Sequence, residues 1–91
     1  MKNETIELLK NDAMKAANAA QGGGYALALE LAGGYLKART AAVRAGENVR
    51  RVAGLTRAVL KLASELADRA RWGAVQDLAG DVAEIVRELN D

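Results

Sequence analysis

The chain has no cysteine, no histidine and no proline. Lack of cysteine excludes disulfides, thiol nucleophiles and thiolate metal sites. Lack of histidine removes the usual general base and the commonest metal ligand. Lack of proline leaves glycine as the only strong punctuation between helices. Phenylalanine is also missing, and the aromatic residues are Tyr25, Tyr35 and Trp72 alone. A core must then be assembled from Ala, Leu, Val and Ile, and alanine-rich cores reach normal packing density only when helices lie close together. Ser64 is the only serine and has no base arranged with it, so nucleophilic catalysis is not expected. No run reaches the roughly 18–20 apolar residues that span a bilayer. The opening stretch, MKNETIELLKNDAM, is charged and amphipathic and lacks the apolar centre of a signal peptide. The expectation is a cytoplasmic protein with no membrane partner.

What the chain does have is 51% hydrophobic residues in 91, too apolar for a disordered segment and enough for one domain. Chains this short bury a modest share of their surface, and many such bundles gain core by self-association. The apolar residues recur at intervals of three and four in four segments, the pattern of amphipathic helices. The reading is an all-α protein, a small antiparallel bundle of three to four helices at about 3–20, 25–45, 48–71 and 74–90, in a single domain covering 1–91.

The segment from Tyr25 to Val43 stands apart because its apolar residues cover two stripes. Tyr25, Leu29, Ala32, Leu36 and Val43 make one, and Leu27, Leu31, Tyr35, Ala38 and Ala42 the other. A helix apolar over so wide an arc is normally buried between neighbours, so this second helix is predicted to be central. It contains Gly33-Gly34, which cost roughly 1 kcal/mol each relative to alanine inside a helix. Gly34, Ala38, Ala41 and Ala45 form a small-residue ridge, which predicts a close helix contact there, with a break in the helix as the alternative.

The first helix presents Ile6, Leu9, Ala13, Ala16 and Ala20, broadened by Leu8 and Met14, with Asn3 as a plausible N-cap. Gln21 to Gly24 end it. The three glycines lack the Lys-Ser/Thr pair of a phosphate-binding loop, so they are read as a turn. Gly46 is placed to stop the second helix and Asn48 to cap the third. In the third, Val52, Leu55, Val59, Leu62 and Leu66 form the seam. Trp72-Gly73 marks a turn or strong kink, with one continuous long helix carrying a stutter as the alternative, and Val75, Leu78, Val82, Ile85 and Leu89 are the predicted seam of the last helix.

Charge is nearly balanced overall, at +1, but unevenly spread. Residues 37–71 hold nine basic and three acidic side chains, and residues 72–91 one basic and five acidic. Arg50, Arg57 and Lys61 are expected to point away from the third helix's seam. Arg50 and Arg51 open that helix, where its dipole disfavours cations and no local reason holds them. Asp77, Asp81, Glu84 and Glu88 form a ridge along the last helix. Paired carboxylates do acid/base chemistry only in a pocket with a suitable partner, and an exposed ridge offers neither. Tyr25, Tyr35 and Trp72 are read as sealing the bundle end with their polar tips in water, with Trp72 as a partner anchor in the alternative reading.

These features imply no enzyme, cofactor, metal or small-molecule substrate. They imply a non-catalytic protein–protein interaction module, a self-associating helical regulator, inhibitor or assembly factor whose partner is a second copy or another protein. Gly33, Gly34, Tyr35, Arg50, Arg57, Lys61, Trp72, Asp77, Asp81, Glu84 and Glu88 are the candidate interface residues. The alternative is a nucleic-acid-binding regulator using the basic band of residues 37–71: Lys37, Arg39, Arg44, Arg50, Arg51, Arg57, Lys61, Arg69 and Arg71. Its weak net charge and the lack of stacking aromatics argue against it.

Overall fold

The computed structural model describes residues 2–69 and 71–90. They form four helices, α1 (Lys2–Gln21), α2 (Tyr25–Arg44), α3 (Ala53–Arg69) and α4 (Trp72–Asn90). A 3-10 turn, Arg50–Val52, leads into α3. α1 is already helical at Lys2, so Asn3 sits within the helix rather than at its cap, and its side chain lies outside the described residues.

Glycine sets two of the three connections. Gly23 and Gly46 adopt φ of 85° and 81°, the left-handed region that side chains resist. Each closes a helix by the same pair of backbone bonds. Gly46 N–H reaches Val43 O and Glu47 N–H reaches Ala42 O, while Gly23 N–H reaches Ala20 O and Gly24 N–H reaches Ala19 O. This is the Schellman arrangement, which satisfies the last carbonyls of a helix. Asn48 then accepts the Arg50 N–H on its side-chain oxygen at 3.0 Å. That bond leads into the 3-10 turn, whose N-cap is Val49 rather than the predicted Asn48, and α3 proper begins at Ala53, later than the predicted 48. The break before α4 falls upstream of Gly73, which lies in the first turn of α4.

Cross-helix hydrogen bonds fix the directions. Gln76 Nε2 donates to Ala20 O at 2.8 Å, and Lys10 Nζ donates to Asn90 Oδ1 at 2.6 Å, so the end of α1 meets the start of α4 and the two run antiparallel. Arg51 donates to Leu89 O at 2.9 Å, which makes α3 and α4 antiparallel too. This bond supplies the reason that the sequence lacked for Arg51: its cation sits on the negative end of the α4 dipole. Thr5 donates to Glu47, tying the first turns of α1 to the α2–α3 connection. α1 packs on α2 and α4, and α3 packs on α2 and α4. The four helices thus close a ring in up-down-up-down order.

That ring corrects the central placement of α2. α1 makes the most extensive contacts, and α2 is a corner helix. A corner helix has two neighbours roughly at right angles, so two apolar stripes are what it needs. Around α1 the interior is alanine: Ala13, Ala16, Ala17 and Ala20 are fully buried, facing Ala28 and Ala32 of α2 and Ala79 and Ala83 of α4 across the core. Larger residues fill the α3 side, with Val52, Leu55, Val59, Leu62 and Leu66 all buried as predicted. In α4 the buried stripe is Val75, Ala79, Val82, Ala83 and Val86, while Leu78, Ile85 and Leu89 are only half-buried. The helix is rotated from its predicted seam because small residues let it approach α1, which turns Leu78 and Ile85 toward α3.

Candidate interaction surfaces

The three aromatics do not share one task. Tyr35 is fully buried and reaches Thr56 Oγ1 at 2.8 Å. Thr56 Oγ1 also bonds Val52 O at 3.0 Å, and a carbonyl can only accept. The single hydroxyl proton of Thr56 is therefore used, and Tyr35 is the donor in the pair. Burial pushes the Tyr35 phenol above its ordinary value, opposed by the Thr56 hydrogen bond and by the nearby Arg39 cation. Tyr35 is thus a core anchor between α2 and α3, not an interface residue and not an end seal. Tyr25 is half-buried. Trp72 does not seal the end either: it is 58% exposed at the first position of α4, between exposed Arg71 and Gly73.

Gly33 and Gly34 neither break α2 nor touch another helix. α2 runs through them, and a Cβ built at either would meet nothing of another helix within 4 Å. The predicted close contact within the chain is absent because the small-residue ridge faces outward, with Gly34, Ala41 and Ala45 exposed and Ala38 half-buried. This ridge continues toward the N-terminal end of α2 through half-buried Leu31 and 53% exposed Leu27. On the α1 side, 62% exposed Leu8 lines the same shallow groove as Ala38, Ala41 and Ala45. A second open depression of about 570 Å³ is lined by Leu27, Leu31, Gly33, Gly34, Asp12 and Lys37, among others. The outer side of the α1–α2 pair therefore carries a trough of two shallow depressions, apolar along α2 and bordered by Asp12, Glu30, Lys37 and Glu47, with a leucine near each end. In the sequence, the residues of this trough were split between an inner stripe and a ridge. Joining Leu27 and Leu31 to Gly34, Ala38 and Ala41 by their alternating intervals of four and three was the missed signal.

The charge ridges meet within one chain. Arg57 and Lys61 of α3 line one bank of a groove, and Asp81, Glu84 and Glu88 of α4 the other, over a floor that includes Ala58, Leu78 and Ile85. The basic ridge was expected to point away from the α3 seam, so that the two ridges need not meet within one chain, but the rotation of α4 brings them to one groove. Among the described residues none of these five is in an ion pair; the pairs formed are Lys10–Glu7 at 2.7 Å and Arg71–Glu65 at 3.2 Å. Arg50 and Asp77 are exposed and do not line the groove.

The rest of the basic band is dispersed. Arg51 is held on Leu89 O, Arg71 on Glu65, and Arg39 is half-buried in α2 with its Nε unpartnered. Lys37 and Arg44 lie on the outer side of α2. One charged residue was overlooked. Lys10 is only 4% exposed, and its ammonium reaches both Glu7 and Asn90 at the α1–α4 contact. Its spacing with Ile6, Ala13 and Ala17 places it on an inner stripe, a position where long stems run along apolar surface to a polar tip. Among the described residues there is no group of three or more acidic side chains placed to hold a metal ion, and no helix long and apolar enough to cross a membrane. No family model matches the chain, and no curated protein or solved structure does either.

Proposed function

We propose that the protein is a non-catalytic, cytoplasmic interaction module, a self-associating helical regulator, inhibitor or assembly factor. The observation that carries this reading is the trough outside α1 and α2. Leu8 stands more than half exposed beside Ala38 and Ala41, and Leu27 beside Gly34, with no other helix covering them among the described residues. Scattered exposed leucines are ordinary, but an apolar strip along a helix pair is a feature of interaction sites. Alanine and glycine lining lets a second helix approach closely, so packing contributes to affinity as well as area.

Sedimentation equilibrium at high micromolar concentration tests the reading. The expected result is a species heavier than one chain for the native protein. Leu27→Lys should shift it to the monomer with unchanged helical circular dichroism, since Leu27 is outside the core. A native protein that stays monomeric throughout rejects self-association. The nucleic-acid alternative is weakened by the carboxylates opposite Arg57 and Lys61. Binding to duplex DNA at low salt, lost steeply as salt rises, would revive it.

A further inference from the structure

The outward seam of α2 carries a size gradient centred on Gly34. Its members Leu27, Leu31, Gly34, Ala38, Ala41 and Ala45 alternate by four and three, the spacing of a coiled-coil seam. They are large before Gly34 and small after it. Leu27 lies seven residues before the glycine and Ala41 seven after, so each is about 10 Å from it along the helix. Flanking the seam, Glu30 precedes Gly34 by four residues and Lys37 follows it by three, and both line the same depression.

We propose that two copies pair through α2, antiparallel, about a two-fold axis passing at Gly34. The inference rests on the self-association reading and adds the surface, the direction and the register. In this arrangement Leu27 of each copy packs over Ala41 of the other, at the end of the trough that Leu8 borders. Leu31 packs over Ala38, and Gly34 meets Gly34 where the helices cross. Each Glu30 lies beside the other copy's Lys37, and the two-fold forms every contact twice. A parallel pairing would instead set leucine on leucine at one end and leave the alanine end unfilled. The antiparallel register also gives the glycine a role that its surroundings within the chain do not: no side chain holds the two backbones apart at the crossing.

The lack of cysteine makes a clean test. A chain carrying both Leu27→Cys and Ala41→Cys should form disulfide-linked dimers on mild oxidation, while either change alone should not. Within one chain these positions are about 21 Å apart along the helix, beyond the reach of a disulfide. Cross-linking of Leu27→Cys alone would show a parallel pair. Disulfide-linked dimers formed by mixing chains that carry Arg57→Cys alone with chains that carry Glu84→Cys alone would place the contact on the α3–α4 groove. Either result, in a protein that sediments as a dimer, overturns the inference and leaves self-association standing. A monomeric native protein removes both. The charge register is tested separately: Glu30→Lys should weaken dimerisation about tenfold, consistent with two exposed pairs reversed, and Lys37→Glu in the same chain should restore it. Equal dimerisation in all three proteins would reject the register.

Discussion

Tyr35 shows how much one hydroxyl can direct. It donates to Thr56, which in turn donates to Val52 O, so the two ends of the chain of bonds are not equivalent. Tyr35→Phe removes a donor and leaves Thr56 with its backbone partner, and the expected loss is about 1 kcal/mol. Thr56→Val strands the Tyr35 hydroxyl in the core, and the expected loss is larger, about 1–3 kcal/mol. Urea melts of the two variants give the order, and a larger loss for Tyr35→Phe would contradict the assigned donor. The same burial has a pH consequence. The phenol's folded value is raised above the unfolded value near 10. Between those values the unfolded chain has released the proton and the folded one has kept it, so stability falls as pH rises above about 10. Below pH 10 this residue contributes no pH dependence. Tyr35→Phe should flatten the alkaline arm of a plot of melting temperature against pH; an unchanged arm would assign it to other groups.

At the scale of helices, two glycines of α2 and its C-terminal turn have opposite effects because their backbones differ. Gly33 sits in helical backbone with open space around its missing side chain. Gly33→Ala should stabilise the protein by about 0.5–1 kcal/mol, raising Tm by several degrees. Gly46 has positive φ at the end of α2, so Gly46→Ala should destabilise by about 1 kcal/mol or more. Thermal melts decide both signs. Periodicity made the helices legible because it reports which residues share a face. The seam of α3 and the end of α2 were read correctly for that reason, with Gly46 the only residue there suited to positive φ. Periodicity does not report how many neighbours a helix has. The two stripes of α2 fitted a central helix as well as a corner one, and the seam of large residues read for α4 does not reveal that Ala79 and Ala83 share its buried face. Which rotation holds depends on the alanines of α1, a fact of three-dimensional packing. For the same reason the charge ridges were visible as ridges, but their meeting across one groove was not. Lys10 was hidden because charge alone argued for solvent.

Across the whole molecule, the helices around α1 are spaced by alanine. Ala16 and Ala17 are fully buried, so a larger side chain at either enters the core among the neighbouring helices. Ala16→Leu should cost about 1–3 kcal/mol through overpacking, even though it adds apolar surface. A chemical-denaturation midpoint equal to or above the native one would mean that α1 can back away from its neighbours at no cost. The ring order of the helices also bears on the speed of folding. Three of its four packed pairs, α1–α2, α2–α3 and α3–α4, join helices adjacent in the chain, and only α1–α4 bridges distant segments. Helical topologies dominated by local contacts fold within microseconds to milliseconds. Three hairpins can therefore assemble before the ends meet, and docking of α4 on α1 is the step with the longest loop to close. Lys10–Asn90 and Gln76–Ala20 belong to that last step. Temperature-jump kinetics should find that Gln76→Ala speeds unfolding and hardly changes the folding rate, whereas a truncation within the α3 seam, such as Val59→Ala, slows folding itself.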